Sequence, residues 1–160
     1  MKKIYKILSI LFLFCTFACT TVTVEHKSLT RQQIIEAPNV NKDDLFVKAN
    51  TTAVDVFNNA DAVIQYSDKE AGIIKGKFIT DIAVYGGTTR AEVTITIEVK
   101  DEKVRLSFSD VDAWYVNIYG QKVPGEPNLK HQSSNYKKLS AILDALANRF
   151  TEKFNEDTSW

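Results

Sequence analysis

No cysteine occurs after position 19 in this chain of 160 residues, and the two that exist, Cys15 and Cys19, sit in an apolar run near the N-terminus. The body of the chain therefore has no thiol for a disulfide framework, a thiolate zinc site or a redox pair. Histidine is as scarce: His26 and His131 are too far apart in sequence for a metal-binding spacing, and neither accompanies a serine or cysteine motif that would make it a general base. Three prolines, six glycines and 44% hydrophobic residues exclude a collagen-like repeat and a disordered chain. No repeat of fixed period is present. An excess of positive charge is missing as well. Formal charge is zero, and setting aside Lys2, Lys3 and Lys6, which precede every acidic residue, leaves 17 basic residues against 20 acidic. Nothing in that balance invites nucleic acid. The longest apolar run, Ile7 to Phe17, has 11 residues, whereas a membrane-spanning helix needs about 20.

What is present begins with a leader. Lys2, Lys3 and Lys6 form a basic start, Ile7 to Phe17 an apolar middle, and Ala18 a small residue before a cleavage point; residues 1–18 read as a secretory signal peptide. Thr16, Phe17, Ala18 and Cys19 resemble the lipobox of bacterial lipoproteins, although that family usually has leucine at the place of Thr16 and a small residue at that of Phe17. The resemblance implies removal of the signal peptide before Cys19, attachment of diacylglycerol to its sulfur and acylation, for instance by palmitate, of its new amino group. Cys15 follows the bulky Phe14 and reads as a small apolar residue of the discarded leader. A Cys15–Cys19 disulfide would have no fold to align it. Three acyl chains hold a protein on a membrane far better than one. With Thr20 and Thr21 rather than an acid after Cys19, the sorting rule of Gram-negative cells implies the outer membrane. Residues 19–30 read as a tether and residues 31–160 as one domain.

Within the domain, Gln32–Glu36 reads as a short strand closed by Pro38. Asn41 is placed to cap a helix whose first turn carries Asp43 and Asp44, which suits the helix dipole. Leu45, Phe46, Ala49, Ala53, Val56 and Phe57 recur at spacings of three and four, so one helix face is apolar. Ala62–Tyr66 and Ile73–Thr80 read as strands around a turn in which Gly72 takes positive φ. "AEVTITIEVK" alternates strictly: Val93, Ile95, Ile97 and Val99 share one face, Thr94, Thr96, Glu98 and Lys100 the other. Val104, Leu106 and Phe108 continue the alternation against Lys103, Arg105 and Ser107. Asp101-Glu102 joins the two runs without glycine, which disfavours a type I′ turn and favours a type I turn with a bulge. Gly76, inside a strand, marks a bulge or close packing.

From Asp110 to Ser134 the period is lost. The segment reads as a long loop on an aromatic foot, with Trp114, Tyr115 and Tyr119 as candidate binding residues. "DVDAW" starts like a calcium loop, but Trp114 stands where Asp or Asn is required and no glycine follows. No metal site and no cofactor are expected. Ser134 is placed to cap a last helix with an apolar stripe of Leu139, Ile142, Leu143, Leu146, Phe150 and Phe154. The expected architecture is α+β, in the order β-α-β-β-β-β-α, an antiparallel sheet with both helices on one face.

The stretches "VDVFNNADAVIQYSDKEAGIIKGKF" and "TITIEVKDEKVRLSFSDV" and the last amphipathic helix resemble a family of uncharacterised domains with a TATA-binding-protein-like (TBP-like) fold, found in envelope proteins and lipoproteins of Bacteroidetes and their relatives. The resemblance runs from about Ile34 to Phe154 and implies a fold, with no catalytic residues to carry over. It implies no DNA binding either, because TATA-binding protein uses a basic, wedge-bearing sheet surface, whereas the wet face here mixes Thr94, Thr96, Glu98, Lys100, Lys103 and Arg105.

The function expected is therefore a non-enzymatic, lipid-anchored envelope protein. Its domain would bind a protein or peptide partner through the Asp110–Ser134 segment or an open sheet edge. A small-molecule or lipid carrier with a helix-grip-like cavity between sheet and last helix is the alternative, and an envelope hydrolase a more distant one, lacking a nucleophile and base.

Overall fold

The computed structural model describes residues 29–57, 62–84, 87–117, 119–124 and 133–156. Cys15, Cys19, His26, Gly86, Gly125, Pro127 and His131 lie outside the described residues, as do the leader and most of the tether. The elements run β1 (Arg31–Glu36), α1 (Lys42–Phe57), β2 (Ala62–Asp68), β3 (Ile73–Val84), β4 (Gly87–Lys100), β5 (Lys103–Val116), β6 (Lys122–Pro124) and α2 (Ser134–Glu156). All six strands pair antiparallel in one sheet, ordered β1-β5-β4-β3-β2, with β6 alongside β5 beyond β1. This is the α+β fold with both helices against one sheet face.

One strand more is formed than the periodicity indicates, and the reason lies at Asp110. Glu92 pairs with Asp112 and Thr94 with Ser109, so Asp110 and Val111 together face Val93. Asp110 has a left-handed φ of 49°, and this bulge shifts the alternation by one residue. Buried residues are Val104, Leu106 and Phe108 before it and Ala113 after it. The first part of what reads as an aperiodic loop, up to Pro124, is thus the second half of β5, carrying Trp114 and Tyr115, followed by a hairpin to β6.

The core is the space between the helices and Ile74, Ile82, Val93, Ile95, Ile97, Val104, Leu106 and Phe108. Leu139, Leu143, Phe150 and Phe154 of α2 are buried against it, Ile142 and Leu146 only partly. Each large side chain so buried contributes about 2 kcal/mol before entropy is counted. Phe57, Phe150 and Phe154 form a stacked ladder with successive centroids 6.1 Å apart, which joins α1 to α2. The cap of α2 is one residue earlier than expected: the Ser133 hydroxyl, not that of Ser134, accepts the Tyr136 N–H at 3.1 Å.

One end of the sheet is tied into a polar corner. Asn41 caps α1 by accepting the Asp44 N–H at 3.0 Å, while Asp101 Oδ1, from the β4–β5 turn, accepts the Lys42 N–H at 2.8 Å. Glu102 donates its N–H to Val40 O at 3.0 Å and accepts the Ala37 N–H at 2.8 Å. These bonds hold Glu102 at φ 63°, and Asp101 is not left-handed, so the type I′ turn, which needs positive φ at both residues, is not formed. Gly72, at φ 70°, accepts the Val99 N–H at 2.8 Å in the same corner. A bulge on β2, between Ile64 and Tyr66, lies beside Gly76.

Candidate functional site

The segment expected to bind becomes a two-stranded extension. Trp114 pairs with Pro124 and Val116 with Lys122, so these four share one side of the ribbon, while Tyr115 and Val123 take the other. Lys122 Nζ lies 3.9 Å from the Trp114 ring centroid and 3.4 Å from Asp112 Oδ2, a cation–π contact that covers the indole. Tyr119 stands at the tip and is 79% exposed. Trp114 and Tyr115 therefore lie on opposite sides of the ribbon. Cys19, the expected acylation site, lies outside the described residues.

The tip is ordered by one side chain. Asn117 Oδ1 accepts the N–H groups of Tyr119 at 2.9 Å and Gln121 at 3.0 Å, and its amide donates to Gln121 Oε1 at 3.0 Å. Such local bonding by Asn is the usual chemistry of a tight turn.

Three cations of the open sheet face are paired with acids on neighbouring strands. Cross-strand rows place Ile34, Arg105, Glu98 and Ile73 in line, then Gln32, Ser107, Thr96 and Lys75. Arg105 Nε donates to Glu98 at 2.8 Å, Arg90 forks onto Asp81 at 2.8 and 3.3 Å, and Lys77 binds Glu92. Hydrogen bonding by Glu92 raises the Lys77 ammonium above its ordinary pKa, and hydrogen bonding by Arg90 lowers the Asp81 carboxyl below its own. Each of these three cations is matched by an acid on the face itself.

A wider concavity lies elsewhere. A groove of about 770 Å³ opens between the β1–α1 corner, the first half of α1 and the end of α2. Ala37, Pro38, Val40, Leu45, Val47 and Phe154 supply its apolar lining, Glu36 and Asp44 its carboxylates. Lys48 also borders it, with Nζ 4.5 Å from the Phe154 ring centroid. Val47, 58% exposed and off the buried face of α1, is the sequence signal that could have pointed to the groove. Between the sheet and helices, by contrast, the opening beside Phe57 and Gly76 is about 10 Å³, too small for more than one water.

Among the described residues, no group of three or more His, Cys, Asp or Glu side chains is arranged to hold a metal ion, and no helix is long and apolar enough to cross a membrane. Asp43 and Asp44 serve the helix end: Asp44 bonds Asn41, and Asp43 lies 3.2 Å from Lys69.

The fold and the sequence can now be set beside known proteins. No curated protein matches the sequence. A DUF4468 family protein from Bacteroides ovatus ATCC 8483 has a similar crystal structure: TM-score 0.59, 14% identity, 78% of this chain and 85% of that one covered. So has a TBP-like protein from Parabacteroides distasonis ATCC 8503, with TM-score 0.55, 12% identity, and coverage of 77% and 92%. At these identities the likeness is one of fold. The sequence itself, over residues 32–114, matches the family model described as a domain of unknown function (DUF4468) with TBP-like fold. The chain belongs to the DUF4468 family of domains with a TBP-like fold.

Proposed function

We propose that this protein is a lipid-anchored envelope protein, acylated at Cys19 after loss of residues 1–18, whose domain is a non-enzymatic binding module for a protein or peptide partner. The lipobox-like residues before Cys19 support the anchor, and Thr20 and Thr21 after it favour the outer membrane of a Gram-negative cell. The observation that carries the binding role is the groove beside α1, about 770 Å³ in volume and lined mainly by apolar side chains. Its size falls in the range of ligand sites. With Glu36 and Asp44 bordering it, the occupant that fits is a short apolar peptide segment next to a lysine or arginine. The carrier alternative needs an enclosed cavity of about 300 Å³ or more between sheet and α2, and the opening there, bordered by Arg31, Gln33, Phe108, Asp144 and Ala147, is about 180 Å³. A chain without excess positive charge gives no electrostatic support for nucleic acid.

Two measurements test the proposal separately. Intact mass of the membrane-extracted protein should show Cys19 with its acyl groups as the first residue, and Cys19→Ser should accumulate as precursor; normal processing of that variant sinks the anchor. A random-peptide selection against the purified protein should enrich apolar segments beside Lys or Arg, with binding lost in Val47→Glu. No enrichment, or binding indifferent to Val47→Glu, sinks the groove.

A further inference from the structure

We propose that the β5–β6 hairpin is the membrane-facing pole of the domain, with Tyr119, Val116 and Tyr115 resting in the headgroup region of the bilayer. This rests on the anchored reading above and adds an orientation to it.

The direction of the chain is the first ground. β1 runs antiparallel to β5, with Arg31 opposite Phe108 and Glu36 opposite Lys103. The start of β1 therefore lies toward the end of β5, the end that bears the hairpin. From Phe108 to Asn117 the strand covers about 30 Å, and the 12 steps from Cys19 to Arg31 extend at most about 40 Å. The tether is long enough for the tip to touch the membrane.

The tether could also reach with other parts of the domain, so surface chemistry decides between the poles. Of the seven large apolar or aromatic side chains exposed among the described residues, three fall in the five positions from Tyr115 to Tyr119, at 37%, 61% and 79% exposure. Tyrosine, with an apolar ring and a polar tip, is suited to the membrane–water interface. Asn117 holds the turn in place beforehand, so little ordering is needed on contact. The opposite pole carries Asp43, Lys69, Glu70, Asp101 and Glu102 around the bonded corner, and burying those charges in an interface is costly. With the hairpin down, the groove between the β1–α1 corner and the end of α2 opens toward the far pole, where a partner can reach it.

The test uses the mature chain from membranes, in nanodiscs of phosphatidylethanolamine and phosphatidylglycerol with brominated acyl chains. Trp114→Phe and Trp160→Phe remove the native tryptophans, and Tyr119→Trp then serves as reporter, with Tyr66→Trp on β2 as control. Tryptophan at 119 should be quenched about twofold or more by brominated lipid, and that at 66 hardly at all. A nitroxide on Tyr119→Cys, which leaves both tryptophans in place, should show the same contrast in oxygen over nickel-chelate accessibility. Equal readings at 119 and 66, or a 119 reporter that becomes shielded only when a protein partner is added, overturn the proposal. Intact mass checks the anchor independently. If Cys19 is found free, its thiol is coupled to a maleimide lipid and the same reporters are read, so the orientation is decided either way.

Discussion

Gly72→Ala and Gly120→Ala form a matched pair that measures how much the polar corner contributes to stability. Both glycines are left-handed, at φ 70° and 76°, so both variants bear the same backbone cost of about 1–2 kcal/mol. Loss of freedom in the unfolded chain returns about 0.4–1 kcal/mol. They differ in their surroundings. A Cβ at Gly120 meets nothing within 4 Å, whereas one at Gly72 would lie 2.5 Å from the Val99 carbonyl oxygen and 2.8 Å from Lys42 Cε. Lysine can swing aside; the carbonyl belongs to the central strand β4 and cannot. Relief requires moving the Gly72 backbone away from Val99, which weakens the Val99 N–H···O Gly72 bond of 2.8 Å, worth about 1 kcal/mol, and adds overpacking of about 1–3 kcal/mol. We expect Gly120→Ala to cost about 1 kcal/mol and Gly72→Ala about 3–4 kcal/mol, against a total of about 5–15 kcal/mol for a domain of this kind. Urea unfolding followed by far-UV circular dichroism, with unchanged m-values, reads both. Losses equal within about 0.5 kcal/mol would refute the tight corner.

Leu143→Ala should cost about 3 kcal/mol in the same assay, because Leu143 is fully buried on α2 and leaves a cavity; Val47→Ala, on the exposed side of α1, should cost little. Thr52 is buried with its hydroxyl lacking a hydrogen-bond partner, so the isosteric Thr52→Val should leave stability unchanged or raise it by up to about 1 kcal/mol, and a clear loss would show a partner that was overlooked. The Asp68 carboxyl accepts hydrogen bonds from the Ala71 N–H and the Tyr66 hydroxyl, which lower its pKa below the ordinary 3.8. Its native pKa being below its unfolded one, its contribution is whole above 3.8 and fades as the pH falls through the depressed native value. The stability gap between wild type and Asp68→Asn should close over that acid interval; a gap that widens there contradicts the assignment. Asn117→Ala should free the Tyr119 and Gln121 amides to exchange faster by at least about tenfold, with little change in global unfolding.

Much of the architecture is readable from pattern. Strict alternation in β4 and the first half of β5, the three-and-four spacing in both helices, the Asn41 cap and Gly72 in its turn each depend on neighbours within a few residues, and local chemistry is sufficient to specify them. The second half of β5 and the whole of β6 are not readable in that way. The Asp110 bulge inverts which residues face the core, so Trp114 and Tyr115 look aperiodic when a strand is sought in a single phase. The cap at Ser133 rather than Ser134 is a one-residue choice made by where α2 must lie to bury Leu139.

Function divides along the same line. By itself the sequence determined a domain free of thiols beyond Cys19 and one antiparallel sheet backed by two helices, because hydrophobic period is written in consecutive residues. Only the tertiary structure decided that Arg105, Arg90 and Lys77 meet acids across the open face, that the opening between β1 and α2 is about 180 Å³, and that Val47, Pro38 and Phe154, from three separate stretches, border one groove. Those properties arise from register and helix placement, which bring together residues more than 100 positions apart, and no local pattern records such distances.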